Sequence, residues 1–218
     1  SGRVAAVRTI ENARFFALDP SYVDEAALGG VLMASLSWNA AGPLASGHDT
    51  AEGLTTAGFA ALKRMEAKGM AIDVSHLNDR CFDEVASSTD APLVASHSNS
   101  RAVCGAPRNL TDAQFDCIRE RGGLVGLNFC CDFLRESGEP TFDDISRHID
   151  RWLERDGEDA IALGSDFDGC DTPRCIASAA DMPAFQNLLR ARFGETITAK
   201  LCGLNALRFF SRRISATL

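Results

Sequence analysis

At 218 residues the chain is long enough for one sizeable core, and 45% hydrophobic with 24% charged residues is an ordinary globular composition. A net charge of −8 argues against nucleic acid or anionic membrane as a partner. No apolar run approaches the roughly 18 residues that span a bilayer, and residues 1 to 30 lack the blocks of a signal peptide. A cytoplasmic protein is the expectation, with the reservation that a longer amino terminus could carry such a signal.

The eight cysteines are scattered through expected helices, strands and loops in a chain too large to need a disulfide framework, so reduced thiols are expected. Cys170 and Cys175 flank a loop and are close enough in sequence to bridge. No pair has the spacing of a zinc ribbon.

In chain order, residues 4–11 form an apolar, β-rich run that ends at Glu11. Pro20 and Asp24-Glu25 open a short helix that stops at Gly29-Gly30. Residues 31–38 are a second apolar run, followed by a loop to Gly53 whose length suggests function. Phe59, Leu62 and Met65 have helical spacing between Thr55 and Gly69. Residues 70–76 and 92–97 then form two strands, each closing on a histidine, His76 and His97, with one short helix between them. A parallel pair built this way puts both imidazoles on the rim where α/β folds keep their chemistry. The plainer alternative makes each a polar strand-end residue bonded to a neighbouring loop.

A loop with Arg101, Arg108 and Asn109 leads to a helix capped by Thr111 and ended by Gly122-Gly123. Residues 123–129 are the fifth strand, 130–140 a polar loop, and Phe142 to Arg155 an amphipathic helix. Residues 159–166 are the last strand, followed by helices from Met182, Glu195 and Leu204. Six strands alternating with helices mean a parallel sheet. An eight-stranded barrel takes about 250 residues, so this chain is expected to be either an open sheet or a barrel short of its amino-terminal units.

Polar residues stand at five strand ends: Glu11, His76, His97, Asn128 and Asp166, with Trp38 the odd one out. A carboxylate and two imidazoles suit Zn²⁺ or a similar ion, and a further carboxylate suits a group that orients or deprotonates water, so the set points to metal-assisted hydrolysis.

At these residues the sequence resembles the membrane (renal) dipeptidase family, peptidase family M19 of the amidohydrolase superfamily. The resemblance is carried by Ile10-Glu11-Asn12, Leu36-Ser37-Trp38-Asn39, Gly53-Leu54-Thr55, Gly69 to His76, Ser96-His97-Ser98, Arg108-Asn109-Leu110, Gly122-Gly123, Gly164 to Gly169 and Gly203 to Arg208, in the family's order. It implies a (β/α)8 barrel, here one domain over residues 1–218 carrying about six of the eight units, with two zinc ions at the strand ends and dipeptides as substrate. By matching position Glu11 looks like the carboxylate bridging both metals, and His76 and His97 like the ligands of one. Asp166 looks like the carboxylate that handles the proton of the metal-activated hydroxide. Arg108 looks like the grip on the dipeptide's terminal carboxylate, with Trp38 and Asn128 as further substrate-contacting positions. The simpler alternatives are a surface ion pair for Arg108 and a turn cap for Asp166.

Two departures stand out. The family's first strand carries a His-x-Asp pair that completes the other metal site, and no expected strand of this chain carries one; His48 is followed directly by Asp49 in a loop, and the His148-Ile149-Asp150 triplet lies inside an expected helix, so neither restores it. One largely complete metal site is therefore expected, in a chain lacking roughly the family's first third. The second is Trp38, where animal members carry a substrate-contacting histidine and some bacterial members resemble this sequence. The competing expectations are a catalytically silent chain of the same fold, or a related amidohydrolase acting on N-acyl amino acids. A homodimer is left open.

Overall fold

The computed structural model describes the backbone of residues 6–217 and the side chains of residues 6–212; Val4 and Ala5 of the first expected strand lie outside the described residues. The chain divides into two compact units. The first runs to Leu93 and takes in the chain from Phe209, and the second is Val94–Arg208.

In the first unit β1 (Arg8–Ile10) leads through a 3-10 turn to α1 (Ser21–Leu28), β2 (Val31–Ser35), α2 (Thr56–Ala67), β3 (Ala71–Asp73) and α3 (Asp79–Ser88). β2 pairs parallel with both β1 and β3, with Ala34 opposite Ile10 and Ile72. Leu62, Met65, Ile72 and Val85 are fully or almost fully buried, so the apolar faces of α2 and α3 and the strand β3 supply this unit's core. Thr55 and Asn78 cap α2 and α3 by accepting the N–H groups of Gly58 and Cys81.

β4 (Leu93–Ala95) straddles the division in sequence. The second unit continues with α4 (Asp112–Glu120), β5 (Leu124–Leu127), α5 (Cys131–Leu134), α6 (Phe142–Leu153), β6 (Ile161–Leu163), α7 (Met182–Ala199) and, after a π turn, the start of α8 (Asn205–Thr217), which like β4 straddles the division in sequence. β5 pairs parallel with β4 and with β6. Phe115 of α4 stacks on Trp152 of α6, with ring centroids 5.3 Å apart. Asp112 and Asp116 face Arg151 and Arg155 beside that stack. Asn205 ties the start of α8 to the strand β6 by donating to Glu158 O and Ile161 O at 2.8 and 2.7 Å.

All six expected strands are present as parallel α/β strands, each shorter than the apolar run that announced it. The run from 31 to 38 shows the cause. At Ser35 the hydrogen bonding passes to the chain leaving β1: Asn12 N–H donates to Ser35 Oγ and Ala13 N–H to Ser35 O, both at 2.8 Å. Leu36 is therefore buried without being in the ladder, and Trp38 is half exposed. The expected polar loop at 130–140 contains the short α5, and the expected break between helices falls at Gly194, whose φ of +79 interrupts α7. No helix among the described residues is long and apolar enough to cross a membrane.

Candidate functional site

In the first unit the functional side chains follow β1, β2 and β3. Glu11 leaves β1 through Asn12, which holds φ at +54, a left-handed value that asparagine tolerates better than most residues. Its Oε1 lies 2.8 Å from His76 Nε2. His76 is almost wholly buried, and its ring is oriented from behind: Nδ1 meets Asn39 Oδ1 at 3.0 Å. An amide oxygen accepts only, so Nδ1 carries the proton and Nε2 is the nitrogen directed at Glu11.

The long loop after β2 is strapped to this histidine. His48 N–H donates to His76 O at 3.1 Å, and Gly47 forms an antiparallel bridge with Leu77. Asn78 donates to Thr50 O and Glu52 O, each at 2.9 Å, while its Oδ1 caps α3. A β-carbon at Gly47 would lie 1.8 Å from Trp38 O, so this loop closes only around glycine. The rings of Trp38 and His48 lie 6.2 and 6.5 Å from that of His76.

In the second unit His97, Arg108, Asn128 and Asp166 follow β4, β5 and β6. The ends of the three strands approach closely because two positions have no side chain: a β-carbon at Gly126 or Gly164 would lie 2.0 or 1.9 Å from Ser96 O. His97 Nδ1 is 2.6 Å from Ser96 Oγ. Arg108, almost fully buried, donates through Nη1 to Ser98 Oγ at 3.2 Å and more weakly to His97 O, and its guanidinium lies 5.5 Å from the centre of the Phe133 ring. Asn128 Nδ2 donates to Asp166 Oδ2 at 3.2 Å. Asp166 itself sits at φ +59, and the turn after it is closed by the backbone, Gly169 N–H donating to Asp166 O at 3.0 Å.

The structure thus joins Glu11 to His76 in one unit and Asn128 to Asp166 in the other. Arg108 shares a second-unit hydrogen-bonded loop with His97, and Trp38 lies beside His76. Sequence reasoning gave no role to Asn39, Ser96 and Asn99, although Asn39 and Ser96 stand within motifs that carry the resemblance and Asn99 directly follows one. His148 is a core residue: Nδ1 accepts from Ser100 N–H at 3.1 Å, Nε2 donates to Leu134 O at 3.0 Å, and burial pulls its pKa down to about 4. The cysteines are all free, Cys170 and Cys175 included.

Parallel strands whose exits carry a carboxylate, imidazoles and a guanidinium define an α/β scaffold with its chemistry at the carboxyl ends of the strands. Comparison with known proteins specifies which. The family model described as membrane dipeptidase (peptidase family M19) matches residues 1–217. An uncharacterised protein in the pqqA 5′ region of Klebsiella pneumoniae is 40% identical over 94% of this chain and 80% of its own. A metallo peptidase from Rhodobacter sphaeroides, solved with a phosphinate mimic of the dipeptide L-Ala-D-Ala, is 37% identical over 95% of this chain, with a TM-score of 0.87. The dipeptidase AC, a metallo peptidase of family M19, matches with the same identity, coverage of this chain and TM-score. This chain spans 63% and 65% of those two structures. The chain belongs to the membrane dipeptidase family, peptidase family M19. Its fold is accordingly α/β of the (β/α)8 type, with six strands among the described residues.

Proposed function

We propose that the protein is a metallodipeptidase that hydrolyses the peptide bond of small dipeptides. The observation that carries this reading is the Glu11–His76 pair, a carboxylate oxygen and an imidazole nitrogen 2.8 Å apart, with Asn39 fixing the far side of the ring, in a chain of family M19. The family resemblance adds His97 as a second imidazole, and a set of one carboxylate and two imidazoles fits zinc or a comparable borderline ion. In both histidines Nδ1 is engaged by a neighbouring oxygen, Asn39 Oδ1 or Ser96 Oγ, and Nε2 is the nitrogen we assign to the ion. When bound, the ion supplies Lewis acidity, polarising the peptide carbonyl and lowering the pKa of water.

The chain's own residues bind, orient and move the proton. Arg108, braced by Phe133 and Ser98, offers a planar fork to the dipeptide's terminal carboxylate. Trp38 is the exposed aromatic surface beside His76 and contacts the substrate there. Asp166 takes a proton from the attacking water and returns it to the departing amine. The Rhodobacter relative's phosphinate mimic of a dipeptide supports the substrate class. Assays of a dipeptide panel beside N-acyl amino acids, before and after chelation and after zinc is restored, test the reading. Dipeptides should be cleaved, activity should vanish with the metal and return with it, and N-acyl amino acids should be poor substrates. Hydrolysis that survives chelation, or a preference for N-acyl amino acids, would refute it.

A further inference from the structure

Asn128 is fully buried, and its side chain is committed on both sides. Oδ1 accepts from Cys130 N–H at 2.6 Å, while Nδ2 donates to His97 O at 3.3 Å and to Asp166 Oδ2 at 3.2 Å. A backbone N–H only donates and a peptide carbonyl only accepts, so the amide has one orientation; turning it over would set NH₂ against N–H and oxygen against oxygen. An N–H of Asn128 is therefore bound to face Asp166 Oδ2.

The backbone of Asn128 is held just as firmly. Asn99, also fully buried, grips both peptide groups of residue 128: its Oδ1 accepts Asn128 N–H at 2.9 Å, and its Nδ2 donates to Asn128 O at 3.0 Å and to Phe133 O at 3.2 Å. Asn99 is anchored in turn, its N–H donating to Asn109 Oδ1 at 3.3 Å and its carbonyl accepting from Leu110 N–H at 2.8 Å. Three buried carboxamides, Asn109, Asn99 and Asn128, form a chain that ends on the Asp166 carboxylate. The other carboxylate oxygen is bounded differently: a β-carbon at Gly169 would lie 2.3 Å from Oδ1, so glycine is what leaves that oxygen its place.

Resting on the reading of Asp166 as the proton carrier, we propose that Asn128 is its positioning residue, holding Oδ2 so that Oδ1 takes and returns the proton. The water O–H bond breaks as Oδ1–H forms; Oδ1–H then breaks as the amine N–H forms, and the sum is water plus amide giving acid plus amine. Asn128 thus acts on the substrate only through Asp166.

The test uses the metal-loaded complete protein and reads kcat, KM and metal content for Asn128→Ala, Gly169→Ala, Asp166→Asn and the two doubles with Asp166→Asn. Expected is a loss of kcat of about tenfold or more in each single variant, with KM within about threefold and metal retained. In the Asp166→Asn background the other two substitutions should cost less than about twofold further, because the oxygen they position is gone. Should Asn128→Ala fail to fold, Gly169→Ala, at an exposed glycine, carries the same comparison. Full additivity in the doubles, or parental kcat in the foldable single variants, overturns this proposal alone. Parental kcat in Asp166→Asn overturns the functional reading beneath it, and this proposal with it.

Discussion

His148 has a stability consequence with a definite sign. Its neutral ring satisfies Ser100 N–H on one side and Leu134 O on the other, and protonating Nδ1 would break the first bond inside the core. With a folded pKa of about 4 against an ordinary 6.5, the unfolded chain takes up a proton that the folded chain refuses. Stability from this residue is complete above about pH 6.5 and falls as pH drops toward 4, by about 2 kcal/mol at pH 5. Urea unfolding at pH 7.5 and pH 5 should show that extra fall, and His148→Gln should remove it; an equal pH dependence in the variant would exclude the ring as its source. At this scale the sequence was legible where the residue type itself is conspicuous. Glu11, His76, His97 and Asp166 stand at run ends and announce themselves by type. Asn39, Asn99 and Ser96 act by holding another group, and an amide or hydroxyl in a loop has no such mark until its partners are known.

The elements repeat this division. Thr111 and Gln114 cap α4 reciprocally, and that start was readable because the bonds join residues three apart. The ends of the strands were not readable, because they are set by groups distant in sequence, as Ser35 shows by receiving the chain from β1. The loop after β2 is the extreme case: it has the composition of a linker, yet it closes on His76 through Gly47, His48 and Asn78. Gly47→Ala would push a β-carbon into Trp38 O and Asn39 O and should destabilise the protein by on the order of 1–3 kcal/mol. It should also weaken metal binding through His76, since the same loop carries Asn39. Denaturation midpoints and competition with a chelating dye would measure the two effects. A variant with unchanged stability and metal affinity would show that the loop can adjust without cost.

On the proposed function the ion is, for the molecule as a whole, a ligand of the folded state. A metal present at about a thousandfold over its Kd adds on the order of 4 kcal/mol, so chelation should lower Tm and zinc should restore it. The sequence's one His-x-Asp, His148-Ile149-Asp150, lies inside α6 with both ring nitrogens of His148 bonded in the core, so one tightly held ion per chain is expected after dialysis. Two would reveal ligands outside the set named here, and a Tm indifferent to chelation would remove the metal from the fold's support. The reduced cysteines make a second measurement available. Cys81 is sealed within the first unit and Cys104 within the second. A thiol reagent reaches such a sulfur only when the surrounding structure opens, so modification at each site is a clock running at its own unit's rate of opening. Two clocks in step would mean that the chain unfolds as one body, and two different rates would mean that one unit comes apart while the other stands.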